Sequence, residues 1–246
     1  MFDDQVPTHK IGTLAPLGVI DNGAYEFYRL WPKGCMSVII PVGLTEFSAT
    51  DVERAFAPLD GYLDQLMQRG VEIVIQNGVP LPILIGVDAH DRMIAHMAKY
   101  TGLPATSTVL AVAKSAAEIG IKKIAVANKW TDAMNASLSQ FFAREGVTVC
   151  GIANKSIAPK DFMKIEDETH MRLAWELGKR AADEHPDCDG VYLGGGSWLC
   201  EPVANRLEQA IGKPVICNET ARVRHVMQIL KDWKPREGFG RIFSTP

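Results

Sequence analysis

Twice along this chain a short apolar run ends in glycine, passes through an amphipathic helix and restarts as an apolar run after Gly-x-Pro. The first copy runs from Val71-Glu-Ile-Val-Ile-Gln-Asn-Gly78 to Gly102-Leu103-Pro104 and Ala105, the second from Asp189-Gly-Val-Tyr-Leu-Gly-Gly-Gly196 to Gly212-Lys213-Pro214 and Val215. A glycine closes a helix through the left-handed cap, and the proline after it keeps the helix from restarting. Strand, helix, strand is the unit of a parallel sheet. The echo therefore predicts an α/β fold of two pseudo-symmetric lobes, each a parallel sheet flanked by helices. Consecutive glycines let backbone N–H groups close on a ligand, and α/β sheets bind ligands at the carboxyl ends of their strands. The expected ligand site is the cleft between the lobes. We assign residues 1–112 plus 219–246 to the first lobe and 113–218 to the second.

The other elements follow in order. Residues 10–15 read as a strand ending at Pro16, 24–30 as a short helix, and 36–42 as an apolar run of the kind covered on both faces. Thr50-Asp-Val-Glu53 fits a capping box, and Val52, Phe56, Leu59, Leu63 and Leu66 continue one apolar face toward Gly70, which predicts a single helix. Residues 79–86 are apolar but hold Pro80 and Pro82, and read as a loop lining a pocket. A helix over 89–100 follows. His90 and His96, with Asp88 and Asp91, suggest a metal or acid/base cluster, but their spacing turns the two histidines to different faces, so a solvated helix end is the reading. Thr106-Ser107-Thr108 caps a helix of small residues over 109–119. Residues 123–127 form a buried strand whose exit, Asn128-Lys-Trp-Thr-Asp132, leads into another helix. A strand over 147–152, an irregular stretch over 154–164, a helix over 167–184 and a strand over 214–218 complete the pattern, and the aromatic tail over 236–243 is expected to pack down.

Length and charge limit the function classes. With 246 residues, 47% of them hydrophobic, the chain can bury a core without staples. Five cysteines, an odd number without framework spacing, and a start, Met1-Phe-Asp-Asp-Gln-Val6, unlike a secretory signal indicate a reduced, cytoplasmic protein. The longest apolar run is short and interrupted by proline, so no membrane span is expected. A net charge of −3 with scattered Lys and Arg argues against nucleic acid, whose phosphates require clustered basic residues. No dinucleotide fingerprint, phosphate loop or Gly-x-Ser-x-Gly elbow occurs. His185 and Cys188 lack further ligands for a metal, and Cys200 and Cys217 read as buried fillers. Two strand exits remain. Lys129 can carry charge or protons if desolvated, or sit exposed beside a helix cap, and Ser197 can orient a ligand or act as a nucleophile.

At these glycine stretches the sequence resembles the aspartate/glutamate racemase superfamily, in particular its arylmalonate decarboxylase and maleate cis-trans isomerase branch. The likeness rests on Ile11-Gly-Thr-Leu-Ala-Pro16, Gly43 onward, Thr101-Gly-Leu-Pro104, the strand at Ile124 with Asp132 and Asn135, Asp189-Gly190, Pro214-Val215 and Gly238-Phe-Gly-Arg-Ile-Phe243. It implies two matched lobes, no cofactor and a small carboxylate held between the lobes by N–H groups and hydroxyls. It also implies cysteine chemistry, with one thiol per lobe in racemases and isomerases and only the second-lobe thiol in decarboxylases. Those thiol positions fall near Gly78-Val79 and on Gly195, and neither is cysteine. The hydroxyl residues that bind an enediolate in the decarboxylases correspond to Val79 and Pro80, and a tyrosine to Trp130. Cys188 precedes the strand and Cys200 lies beyond the loop, so neither simply substitutes.

The combined expectation is a cofactor-independent, decarboxylase-like lyase that acts on a small carboxylic acid through an enediolate-type intermediate. Lys129 and Ser197 are the candidate catalytic residues. Pro16, Asn77, Gly78, Val79, Pro80, Trp130, Gly195 and Gly196 are the candidate substrate-binding residues, with no metal. An isomerase or racemase with a relocated acid/base pair and a non-catalytic carboxylate-binding protein are the alternatives. A small carboxylate is the expected partner, and a homo-oligomer is open.

Overall fold

The computed structural model describes residues 6–19, 22–46, 48–157, 161, 164–195 and 198–246. Gly196, Ser197 and part of the irregular stretch over 154–164 lie outside them. The chain forms two compact units, Met1–Thr108 and Val109–Pro246.

The first unit contains β1 (His9–Leu17), α1 (Asn22–Leu30), β2 (Cys35–Leu44), α2 (Ala49–Phe56), α3 (Leu59–Gln68), β3 (Ile73–Gln76), α4 (Pro80–Ile85), α5 (Val87–Thr101) and β4 (Ala105–Ser107). Its strands pair in parallel in the order β2-β1-β3-β4. Ile73, Val74 and Ile75 are fully buried because β3 is central and covered on both faces. The β1–β2 ladder slips at Pro16, which has no N–H to offer it.

The second unit repeats that order. It contains α6 (Thr108–Glu118), β5 (Lys123–Asn128), α7 (Asp132–Arg144), β6 (Thr148–Asn154), α8 (Asp167–Glu184), β7 (Gly190–Gly194), α9 (Glu201–Ile211), β8 (Val215–Cys217), α10 (Asn218–Ile229) and α11 (Arg241–Ser244). The parallel order β6-β5-β7-β8 matches the first sheet strand for strand, as the repeated sequence pattern predicts.

Five expectations are corrected. Residues 79–86 are mostly helix rather than loop, because Pro80 and Pro82 occupy the first turn of α4, where backbone N–H groups have no intrahelical partner to lose. The single helix toward Gly70 is two, divided at Pro58, and its cap is Ser48, whose hydroxyl accepts from Asp51 N–H, rather than Thr50. His90 is fully buried, its Nε2 2.9 Å from Ser107 Oγ, while His96 stays exposed beside Asp60. Residues 219–246 fall in the second unit rather than the first. Arg224 accounts for this: its guanidinium donates to the carbonyls of Ile242, Thr245 and Pro246 and meets Glu118 on α6 at 3.3 Å. The tail packs down as expected, with Ile242 and Phe243 fully buried.

The fifth concerns cysteine. Cys150 and Cys188 are joined as a disulfide with their Cα atoms 6.5 Å apart, a span suited to such a bond, while Cys35, Cys200 and Cys217 are buried and outside any disulfide. The β5–β6 ladder passes from Val149 to Gly151 and leaves Cys150 out of register, which frees its side chain for Cys188. Thiol titration of air-oxidised, denatured protein without reductant is expected to return three thiols rather than all five.

His225 on α10 is also buried. Its pKa is pushed down to about 4, first by burial and then by the charge of Lys114, with Glu118 opposing. The unfolded chain therefore takes up this proton first as pH falls, and the folded state loses stability between about pH 6.5 and 4, by roughly 3 kcal/mol once both states are protonated. Urea unfolding across that window should show the loss, and His225→Gln should flatten it.

Candidate functional site

In the first unit the carboxyl end of β3 turns through Asn77 and Gly78 into α4. Asn77 N–H donates to Leu14 O at 2.9 Å, and Asn77 Oδ1 accepts from Gly78 N–H at 2.8 Å and from Thr108 Oγ1 at 2.9 Å. Gln76 Nε2 donates to Gly78 O at 3.0 Å, so the turn is held from both sides. Gly78 has a φ of +84°, and a Cβ there would lie 2.8 Å from Pro16 Cγ. Pro16, Asn77 and Gly78 are thus brought together, with Val79 and Pro80 buried behind them at the start of α4. Thr108 was missed as part of this turn, since Thr106-Ser107-Thr108 reads locally only as a helix cap. Gly78→Ala combines a left-handed φ with a steric conflict at Pro16, and should cost about 2–4 kcal/mol, read as a lower urea midpoint.

In the second unit the carboxyl ends of β5 and β7 converge. Asn128 is fully buried; its Nδ2 donates to Asn135 Oδ1 at 2.6 Å and its Oδ1 accepts from Trp130 N–H at 3.0 Å. Asn154 Nδ2 donates to Trp130 O at 3.0 Å and to Asp132 Oδ1 at 3.0 Å. These amide side chains hold the β5 exit in one shape and turn Lys129 inward. Lys129 is 1% exposed, which excludes the exposed-cap reading, and its Nζ lies 5.3 Å from the centroid of the Trp198 ring.

The β7 exit closes on the same groups. A Cβ on Gly194 would meet Trp130 Cη2 and Tyr192 Cε1 at 3.0 Å, and one on Gly195 would lie 3.3 Å from Trp198 Cβ and 3.5 Å from Lys129 Cε. Glycine there is what lets the two exits approach this closely. Tyr192 stays neutral, its pKa raised by burial above all, and its hydroxyl donates to Asn218 Oδ1 at 2.5 Å. Of the residues singled out in the sequence, Lys129, Trp130 and Gly195 stand together, while Ser197 and Gly196 lie outside the described residues. Trp198 was missed. Among the described residues no three His, Cys, Asp or Glu are grouped to hold a metal ion, and no helix is long and apolar enough to cross a membrane.

Residues 37–243 match the arylmalonate decarboxylase family. The chain belongs to that family. It is similar to the arylmalonate decarboxylase of Bordetella bronchiseptica, with 24% identity over 243 residues that cover 98% of each chain. A crystal structure of a liganded double mutant of arylmalonate decarboxylase has the same fold, with a TM-score of 0.85 at 24% identity, covering 96% of this chain and 99% of that one. The maleate isomerase of Pseudomonas putida S16 shares it too, with a TM-score of 0.82 at 14% identity over 96% and 98% of the two chains. Membership of the arylmalonate decarboxylase family agrees with the resemblance read from the glycine stretches.

Proposed function

We propose that the chain is a cofactor-independent lyase that removes carbon dioxide from a small carboxylic acid bearing a second carboxylate on the same carbon. The C–C bond to one carboxylate breaks, carbon dioxide leaves without the bonding electrons, and the pair moves into the remaining carboxylate as an enediolate. A proton then adds to the carbon. Lys129 in its ammonium form is the proposed proton donor and charge partner, and solvent restores its proton. The observation that supports this reading is a buried lysine at the carboxyl end of β5, against Trp198 and Gly195, in a chain of the arylmalonate decarboxylase family.

Trp130 and Gly195 belong to the proposed substrate-binding set, together with Pro16, Asn77, Gly78, Val79 and Pro80 from the first unit. Ser197 and Gly196 remain in the proposal on the sequence alone. The cytoplasmic setting belongs to it as well. Protein alkylated directly in the cell would then show five thiols, against three if Cys150 and Cys188 are bonded there.

The deciding experiment incubates the protein with phenylmalonate, methylmalonate and maleate in deuterated water. The expected result is carbon dioxide release from a malonate, with one solvent deuteron on the product's α-carbon. Conversion of maleate to fumarate without carbon dioxide would move the assignment to isomerisation. Binding of the acids without any turnover would leave a carboxylate-binding protein.

A further inference from the structure

Trp198 is fully buried, and its indole N–H has no acceptor among the described residues. Buried polar groups nearly always have partners, so a buried donor without one marks a place where something else supplies the acceptor. Asn135 Nδ2 and Asn218 Nδ2 share that condition, and all three are nitrogen donors. Asn135 is hydrogen-bonded to Asn128 at the end of β5, and Asn218 directly follows β8, so the unmet demand at the carboxyl end of this sheet is for acceptors. Among the described residues of this unit, the buried side-chain oxygen without a partner, Gln228 Oε1, lies near the far end of α10.

We infer that the Trp198 indole N–H is a direct hydrogen-bond donor to the substrate carboxylate, acting with Lys129. The inference rests on the reading of the chain as an enzyme for small carboxylic acids and adds a residue to its anion site. Trp198 presents two different surfaces. Its electron-rich face takes the Lys129 ammonium, 5.3 Å from the ring centroid, and its edge offers the N–H in the ring plane. A carboxylate has two oxygens with separate lone pairs, so it can accept from the indole edge while facing the ammonium. One buried cation and one neutral donor suit a single anion, and the Trp198 backbone is held beside the β7 exit, where a Gly195 Cβ would lie 3.3 Å from Trp198 Cβ. Phenylalanine at 198 would keep a smaller aromatic face for Lys129 and lose the donor, while 3-benzothienylalanine would keep the bicyclic shape and lose the N–H alone.

The test follows the indole proton itself. Full-length protein labelled with ¹⁵N-tryptophan gives one indole N–H signal for each of its five tryptophans, and Trp198→Phe identifies the relevant one by its loss. On titration with malonate, the Trp198 signal should move downfield and saturate with the Kd found by calorimetry, while sodium chloride at equal ionic strength leaves it in place. Trp198→Phe should weaken malonate binding about ten- to hundred-fold, the usual loss for one hydrogen bond to a charged group. Should that variant fail to fold, 3-benzothienylalanine at position 198 keeps the bicyclic shape and lacks the N–H. Malonate binding by calorimetry with a motionless Trp198 signal would overturn the inference and leave the function standing. If malonate and phenylmalonate both give no heat and no shift at any tryptophan, the functional reading fails and the inference with it.

Discussion

Lys129→Met should lower kcat/KM for a malonate substrate by a hundred- to ten-thousand-fold, the range for removal of a positioned proton donor, without lowering the unfolding temperature. The two halves of this expectation have opposite origins. Lys129 is 1% exposed, and taking an ammonium out of water opposes folding. Methionine has nearly the same length and fills the space against Trp198 with no charge to desolvate, which offsets the Lys129 contacts that the variant loses. Activity should collapse because the charge and the proton are both gone. A structural lysine would behave in the reverse manner, with lower stability and little change in rate, and that result would remove Lys129 from the chemistry.

Arg222→Ala should destabilise the chain by about 3–5 kcal/mol, a large share of the roughly 5–15 kcal/mol that holds a typical domain together. Arg222 and Glu219 lie on one face of α10, and both side chains are 5% exposed. Arg222 Nη2 donates to Glu219 Oε1 at 2.7 Å and approaches Oε2 at 2.5 Å. Removing the guanidinium takes this ion pair from a buried carboxylate, which costs more than removing both charges. The double variant Glu219→Gln/Arg222→Met should therefore recover most of the loss in urea unfolding. If Arg222→Ala costs under about 1 kcal/mol, water reaches Glu219 and the pair is effectively a surface one.

The elements legible in the sequence are those set by neighbours in the chain. The caps at Gly102 and Gly212, the buried runs of β3 and β7 and the turn at Gly78 follow from φ, from missing Cβ atoms and from apolar spacing over a few residues. Misreadings arose where a local signal has two structural solutions. Pro80 and Pro82 break a helix interior but begin α4 without cost, and an apolar face continuing from Val52 to Leu66 does not reveal that Pro58 divides it. His90 carries no mark of burial in its own segment, since its partner Ser107 is 17 residues away on β4.

By itself the sequence determined the fold class, the matched pair of parallel sheets, the strand exits and the family, because periodicity, glycine and proline act over a few residues. Tertiary structure alone decided that Lys129 is buried, that Trp198 stands over it, that Thr108 holds the Gly78 turn, that Cys150 meets Cys188 and that the tail closes on Arg224. Each of these depends on which side chains share space and on how much water is left between them. Desolvation and hydrogen-bond partnership are properties of that shared space, and residues distant in the chain settle them only when the strands stand side by side.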